Sequence, residues 1–282
     1  GLITSYTYGV SAEGGRITTV SRPNGEVVSE RYRDGRTKST TGSGVVPQYY
    51  TYGVNVDGSQ WTQVNIGAAD SALWQKTTTD TLGRTVKIEK PGFSGDIETT
   101  QHYYNDKGQL IRITTPGRAD TLYAYNDLGQ QIMTGLDMDG NEILETGTTD
   151  RVTETRTAFV EEGGLIWQQS TQMAYATDND ATSTTIATQR TQLTGLGANG
   201  LVSRSTTTDI PGNITVAQTT INRAAKTRIQ TMDYPDSDTD ATTTTVNGLL
   251  LSSVSKSGVE TAYGYDALGR RTGVTDPRTG TA

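Results

Sequence analysis

Tyr263-Gly264-Tyr265-Asp266-Ala267-Leu268-Gly269-Arg270 is the stretch that decides the reading of this chain, because close copies of it stand upstream. Tyr123-Ala124-Tyr125-Asn126-Asp127-Leu128-Gly129-Gln130 is one copy, and His102-Tyr103-Tyr104-Asn105-Asp106-Lys107-Gly108-Gln109 is another. Thr79-Asp80-Thr81-Leu82-Gly83-Arg84 is shorter, and Thr208-Asp209-Ile210-Pro211-Gly212-Asn213 is a worn fifth. Self-similarity at a near-constant interval marks a repeat architecture. Two tyrosines two residues apart project from one face of a strand. The Asp or Asn that follows can bond its own backbone in a turn, and the Gly three residues later supplies positive φ without a Cβ clash. A second arm follows each turn: Val86 and Ile88 alternate with Lys87 and Glu89, and Ile111 and Ile113 with Arg112 and Thr114. Each unit is therefore expected to be a β-hairpin.

These residues resemble the tyrosine-aspartate (YD, or Rhs) repeat proteins, which include bacterial Rhs toxins, the B and C components of toxin complexes, and teneurins. The resemblance is carried by 76–142 and 256–282, through Asp80, Gly83, Tyr104, Gly108, Tyr123, Tyr125, Gly129, Tyr263, Tyr265, Asp266 and Gly269 as structural repeat residues. It implies an all-β array of antiparallel hairpins forming a curved, spiralling sheet, part of a hollow shell. In that family such a shell often encloses a toxic polypeptide made as the C-terminal end of the same chain. The family's self-cleaving aspartate site lies in a core beyond the repeats, so the resemblance carries over no catalytic residue.

Composition fits an open layered architecture better than a thick core. The apolar set is 32% of the chain and 32 of the 282 residues are Gly, about 43% together against the usual 45–50%. Abundant Thr and 14 Tyr favour strands, and no long helical stripe is present. A net charge of −7 with scattered basic residues lacks the positive face that nucleic acid requires. There is no Cys, which excludes disulfides and thiolate metal sites. No apolar run approaches the roughly 18–20 residues of a membrane helix; the strongest is Leu249-Leu250-Leu251. The first residues, Gly1-Leu2-Ile3-Thr4-Ser5, hold neither Met nor a leader, so residues 1–282 are expected to be a single repeat array within a longer protein.

Along the chain, Tyr6-Thr7-Tyr8-Gly9-Val10 is repeated as Tyr50-Thr51-Tyr52-Gly53-Val54. Spacings between turn glycines give a unit of about 20–25 residues and on the order of a dozen hairpins. Asn24-Gly25, Asp34-Gly35, Asp139-Gly140, Asn199-Gly200 and Asn247-Gly248 are pairs that favour two-residue hairpin loops. Residues 143–255 keep the turn signals but lose the tyrosines. Their Thr182-Ser183-Thr184-Thr185 and Thr242-Thr243-Thr244-Thr245 runs read as solvent-facing strands rather than a stalk. Val160–Trp167 reads as a hairpin with an acidic tip, and 235–240 as a longer loop.

Candidates for chemistry are few. The lone His102 occupies the place of Tyr123 and Tyr263 in the repeat, so an aromatic-ladder role outweighs that of a catalytic base. Gly195-Leu196-Gly197-Ala198-Asn199-Gly200 has dinucleotide-binding spacing but runs into a strand-like segment rather than a helix. Asp236, Asp238 and Asp240 have calcium-loop spacing without the required Gly or the closing Glu. Asn213-Ile214-Thr215 is a glycosylation sequon. The polar residue after each turn glycine, Arg84, Gln109, Gln130 or Arg270, is placed to bond the turn Asp or Asn. No cofactor, metal site or catalytic residue is expected.

The expectation is a non-catalytic shell segment, secreted or on a bacterial surface. Its partners would be the rest of its own chain and an enclosed toxin, with no nucleic acid and no membrane span, and open first and last edges would favour self-association. Two alternatives are an adhesin stacking Trp61, Trp74 and Trp167 on glycans, and a parallel β-helix, against which the many Asn-Gly and Asp-Gly pairs speak.

Overall fold

The computed structural model describes residues 3–93, 95–210, 212–236 and 239–281. Among them the regular structure is all strand, with no helix. Two compact units divide the chain: Gly1–Tyr123 with Leu136–Ile143, and Ala124–Gly135 with Leu144–Ala282.

In the first unit the strands are β1 (Ser5–Val10), β2 (Arg16–Arg22), β3 (Gly25–Arg31), β4 (Thr37–Thr41), β5 (Gln48–Val54) and β6 (Gln60–Ile66). Then come β7 (Trp74–Thr79), β8 (Thr85–Pro91), β9 (Ile97–Tyr104), β10 (Leu110–Thr114) and β11 (Asp120–Tyr125). Each pairs antiparallel with the next in sequence. β12 (Gln131–Asp137) follows. The second unit contains β13 (Arg151–Glu162), β14 (Leu165–Tyr175), β15 (Thr184–Gln192), β16 (Gly200–Thr208), β17 (Ile214–Asn222) and β18 (Thr227–Asp233). It closes with β19 (Ala241–Val246), β20 (Leu249–Val254), β21 (Glu260–Tyr265), β22 (Arg271–Asp276) and the short β23 (Gly280–Thr281), again paired antiparallel in order. The hairpin expectation holds, and no parallel pairing of a β-helix occurs among the described strands.

One loop geometry recurs nine times among the described residues. Its first residue donates N–H to the carbonyl four residues on, and its carbonyl accepts from the N–H of a Gly three residues on. It starts at Ser11, Tyr32, Asn55, Asp80, Asn105, Asn126, Asp209, Ser255 and Asp266. This is a three-residue hairpin loop, a type I turn closed by a left-handed residue. Gly83, at φ 81°, shows why Gly is needed there. In the first unit these turns lie at one end of the hairpins, at intervals of 21, 23, 25 and 25 residues.

The two-residue loops are fewer than the Gly pairs suggested. Asn247-Gly248 joins Val246 to Leu249 with both residues at positive φ, as expected, and so does Gly163-Gly164 at the acidic tip of β13–β14. Asp34-Gly35 instead sits inside the longer turn of Tyr32, and Gly25 is already the first residue of β3, paired to Arg22. A Gly at the third loop position satisfies the same φ requirement as a Gly at the second, so the dipeptide alone does not fix loop length.

Little apolar side chain is fully buried. Among the described residues Leu122 is the buried apolar residue of the first unit, while Val152, Trp167, Met173 and Tyr175 are buried along β13 and β14 in the second. Accessible area is 17745 Å², against the roughly 12,000 Å² of a compact 30 kDa protein. Both faces of many strands are half-covered, so β19 carries Thr242–Thr245 half-buried rather than solvent-facing. Buried polar residues sit where apolar ones would be in a thick core: Ser39, Ser59, Asn65 and Thr78 in the first unit.

Candidate functional site

The recurrent feature with defined chemistry is the turn and what it grips. In the Asp80 turn, Asp80 Oδ1 accepts from the N–H of Leu82 and Arg84, both at 2.9 Å, and Oδ2 accepts from Arg84 Nε at 2.7 Å. The Asp266 turn repeats this with Leu268 and Arg270, whose Nε lies 2.7 Å from Asp266 Oδ2. Where the first residue is Asn the partner is Gln: Asn105 Nδ2 donates to Gln109 Oε1 at 2.8 Å, and Asn126 Nδ2 to Gln130 Oε1 at 2.9 Å. In these four turns an anion meets a cation and an amide meets an amide, whereas in the Asp209 turn the carboxylate accepts from the Asn213 N–H. For Asp266 the backbone N–H and then the guanidinium of Arg270 hold the carboxyl below its ordinary range. For Asp80 burial pushes the pKa up, but the hydrogen bonds from Arg84 and Leu82 together outweigh it and the net direction is down.

The arginine then reaches the next hairpin. Arg84 lies 4.5 Å from the centroid of the Tyr104 ring, and Tyr104 Oη donates to the Thr85 carbonyl at 2.7 Å. Two units earlier, Arg36 lies 4.5 Å from the Tyr52 ring and Tyr52 Oη donates to the Thr37 carbonyl at 2.8 Å. In both cases the acceptor is the residue after the arginine, so the tyrosine is held by its face and its hydroxyl together. Cation–π contact and a half-buried hydrogen bond each contribute about 1 kcal/mol. Tyr103, on the opposite face of β9, is covered by Arg112 at 4.3 Å. Among the described residues one ring pair is in contact, Tyr32 with Tyr52 at 6.0 Å. Tyr52 and Tyr104 are thus each met by an arginine rather than by a ladder of rings, because the turn of the preceding hairpin carries its cation to them.

A β-bulge accompanies four of the turns. The register slips at Lys38, Val86, Ile111 and Thr272, each six residues after the first turn residue. This breaks the alternation expected along 110–114: Ile111 is 37% exposed while Arg112 is half-buried and pairs with Asp120 and Glu142. A bulge adds one residue to one strand and re-aims its side chains.

The remaining sequence candidates are placed as follows. Tyr123 and Tyr125 lie on β11, Tyr263 and Tyr265 on β21, and Gly108, Gly129 and Gly269 at the left-handed turn position. His102 pairs with Ile113 across β9–β10; burial lowers its pKa, and its Nδ1 is buried without a partner. Gly200 opens β16, so the glycine-rich stretch leads into a strand, as read. Asp238 lies outside the described residues, and Asp236 is paired with Lys256. In the second unit a groove of about 550 Å³ is lined by Glu162, Trp167, Gln169, Arg190, Arg204 and Thr206, among others. Sequence reasoning missed it, since Arg190 and Arg204 become neighbours only through the β15–β16 register. Its one carboxylate, Glu162, is bonded to Arg190, so the groove has no free acid–base pair. Trp167 is 7% exposed beneath Arg204, and Trp61 lies under Lys76.

Comparison with known families adds a match to the RHS Repeat family model over residues 246–281. This part of the chain is similar to an RHS repeat. It contains the Ser255 and Asp266 turns and the Thr272 bulge, so the RHS repeat corresponds to the geometry built above. No curated protein sequence matches the chain. Similar solved structures are TcdB2-TccC3, with 10% identity, a TM-score of 0.28 and coverage of 93% of this chain and 20% of that one, and a TccC3 mutant of the Photorhabdus luminescens Tc holotoxin pore, with 10%, 0.30, 95% and 20%. The chain spans about a fifth of those proteins, and superpositions at this level do not extend the likeness beyond the RHS repeat itself. No helix among the described residues is long and apolar enough to cross a membrane.

Proposed function

We propose that the chain is a non-catalytic stretch of wall in a larger RHS-repeat protein, a curved sheet that with further repeats encloses a polypeptide carried by the same parent. The observation that carries this reading is the arginine–tyrosine clamp, which fastens the β3–β4 hairpin to β5 and the β7–β8 hairpin to β9 without demanding a thick core. Such a sheet can be lengthened by repetition and keeps both faces polar enough to meet water and a passenger. The partners are then the flanking parts of the parent chain and an enclosed toxin, and the setting is secreted or at a bacterial surface. Glycan stacking has less support, since Trp61, Trp74 and Trp167 are covered or half-covered.

Limited proteolysis of the full-length parent tests the reading. The enclosed polypeptide should survive protease in the intact protein, and become digestible when the hairpins of 76–114 are deleted. A passenger cleaved equally in both would overturn enclosure. Binding on a glycan array that is lost in Trp74→Ala with the fold intact would favour the adhesin instead.

A further inference from the structure

Arginines that meet aromatic rings in this sheet are, as a rule, also paired with a carboxylate. Arg36 over Tyr52 is bonded to Asp34, Arg84 over Tyr104 to Asp80, and Arg112 over Tyr103 to Asp120 and Glu142. Arg16 over Tyr8 has no such partner among the described residues, but it is exposed and water solvates it. Arg204 differs from all of these. It is half-buried, with its guanidinium 5.8 Å from the centroid of the Trp167 ring, and it has no ion-pair partner among the described residues. Its Nε is buried without an acceptor. A cation withdrawn from water in this way costs free energy until an anion takes the place of the lost hydration.

The groove of about 550 Å³ beside Arg204 lies in the middle of the second unit, on the face of β14–β17. Gln169, Arg190, Thr206 and Val216 form one row across the four strands, and Arg204 stands two residues along β16 from Thr206, on the same face. Glu162 and Arg190 neutralise each other at 2.6 Å, and Arg190 Nε donates to Gln169 at 2.7 Å. The other lining residues, apart from Arg204, are uncharged, among them Thr188, Thr206, Ile214 and Val216. The groove therefore holds one uncompensated positive charge beside hydroxyls and an apolar patch. Its volume falls within the range of about 300–1,000 Å³ usual for small-ligand sites.

We propose that this groove binds an acidic peptide, taking one glutamate or aspartate carboxylate on the Nη atoms of Arg204 and the adjoining peptide groups on Thr188 and Thr206. A single net positive charge matches a carboxylate monoanion better than a phosphate dianion, and a planar guanidinium meets a carboxylate through two parallel N–H···O bonds. Threonine hydroxyls both donate and accept, as peptide N–H and C=O groups require. Ile214 and Val216 suit an apolar neighbour of the acidic residue. Trp167 holds the guanidinium in place without cancelling its charge. An acidic sugar would need an open aromatic face to stack on, and Trp167, 7% exposed beneath Arg204, offers none. The binding goes beyond the wall reading and does not depend on what the sheet encloses.

NMR titration of the whole chain tests this, following the Arg204 Nε–H and Trp167 indole N–H signals. The probes are the end-blocked tripeptide Leu-Glu-Ala, its Leu-Gln-Ala counterpart, inorganic phosphate and galacturonate. The glutamate peptide should shift both signals with a dissociation constant on the order of millimolar, and the glutamine peptide should bind about tenfold more weakly or worse. Arg204→Gln should remove the response with the thermal midpoint retained. Glu162→Gln, at a side chain 65% exposed, frees Arg190 and should tighten binding several-fold; it serves where Arg204→Gln loses its fold. Signals unmoved by the glutamate peptide at about ten times that concentration would overturn the proposal, as would equal responses to the two peptides. Weaker binding in Glu162→Gln would also overturn it. Tighter binding of phosphate or of galacturonate would overturn the assignment to a peptide.

Discussion

The hairpins of the first unit and those spanning β13–β17 are built from the same antiparallel pairing but are held by different forces. Between β1 and β10 the strands are five to eight residues long, the turns keep one geometry, and apolar burial is slight. Stability there comes from the ends: carboxylate or amide caps, arginines on tyrosines, and polar side chains such as Asn65 satisfied by Gln63 and the Ser71 carbonyl. β13 and β14 are twelve and eleven residues long, pair over eleven positions, and bury Val152, Trp167, Met173 and Tyr175. Where the clamps lapse, longer strands and apolar side chains buried along them replace them. A repeat sheet can thus be stabilised at its turns or along its length.

The largest effect that would break this contrast is expected at Trp167. Trp167→Ala should cost about 3 kcal/mol, read as lost hydrogen-exchange protection across β13–β16 with β1–β10 unaffected. An equal loss from Trp61→Ala in the first unit would erase the distinction. Next, Gly83→Ala should cost about 1 kcal/mol. A Cβ there meets nothing within 4 Å, so the loss reports φ strain at 81° alone. A neutral result would show that the turn is not the fastening.

His102 gives a smaller, pH-dependent effect. Burial holds its pKa below 6.5 in the folded chain, so the unfolded chain takes up the proton first as the pH falls. Its contribution is fully present above 6.5 and is lost as the pH drops through the lower folded value. The thermal midpoint should therefore fall more steeply between neutral pH and pH 5 in the wild type than in His102→Gln. The smallest effect is expected from exchanging one matched pair for the other. Asp266→Asn should lower the thermal midpoint slightly by leaving Arg270 without its carboxylate, and Arg270→Gln added to it should restore most of this by recreating the Asn105–Gln109 arrangement. Additive losses in a double-mutant cycle would mean that the pairs do not interact.

Much of the hairpin architecture could be read from residue order. An Asp or Asn three residues before Gly marks the turns at 80, 105, 126, 209 and 266, since both requirements are local: a short side chain that caps its own backbone and a residue free of Cβ. The bonding of Arg84 and Arg270 to their turn aspartates was legible for the same reason. The hold of Tyr104 on the Thr85 carbonyl was not, because it depends on which strands lie side by side. The stagger at Ile111 was hidden as well, since period-two alternation assumes an unbroken ladder. The Trp167–Arg204 groove lay outside reach, because its residues come from separate strands in the segment with the weakest repeat signal.

The scarcity of buried apolar side chains has a thermal consequence. The heat capacity gained on unfolding scales mainly with the apolar surface newly wetted, about 12–15 cal/mol/K per residue in ordinary globular proteins. A sheet with five buried apolar residues among those described should fall below that figure, and its stability curve should be correspondingly flat. Cooling or warming would then change its folding free energy little, and a sheet built this way keeps its form over a wide span of temperature on a modest margin.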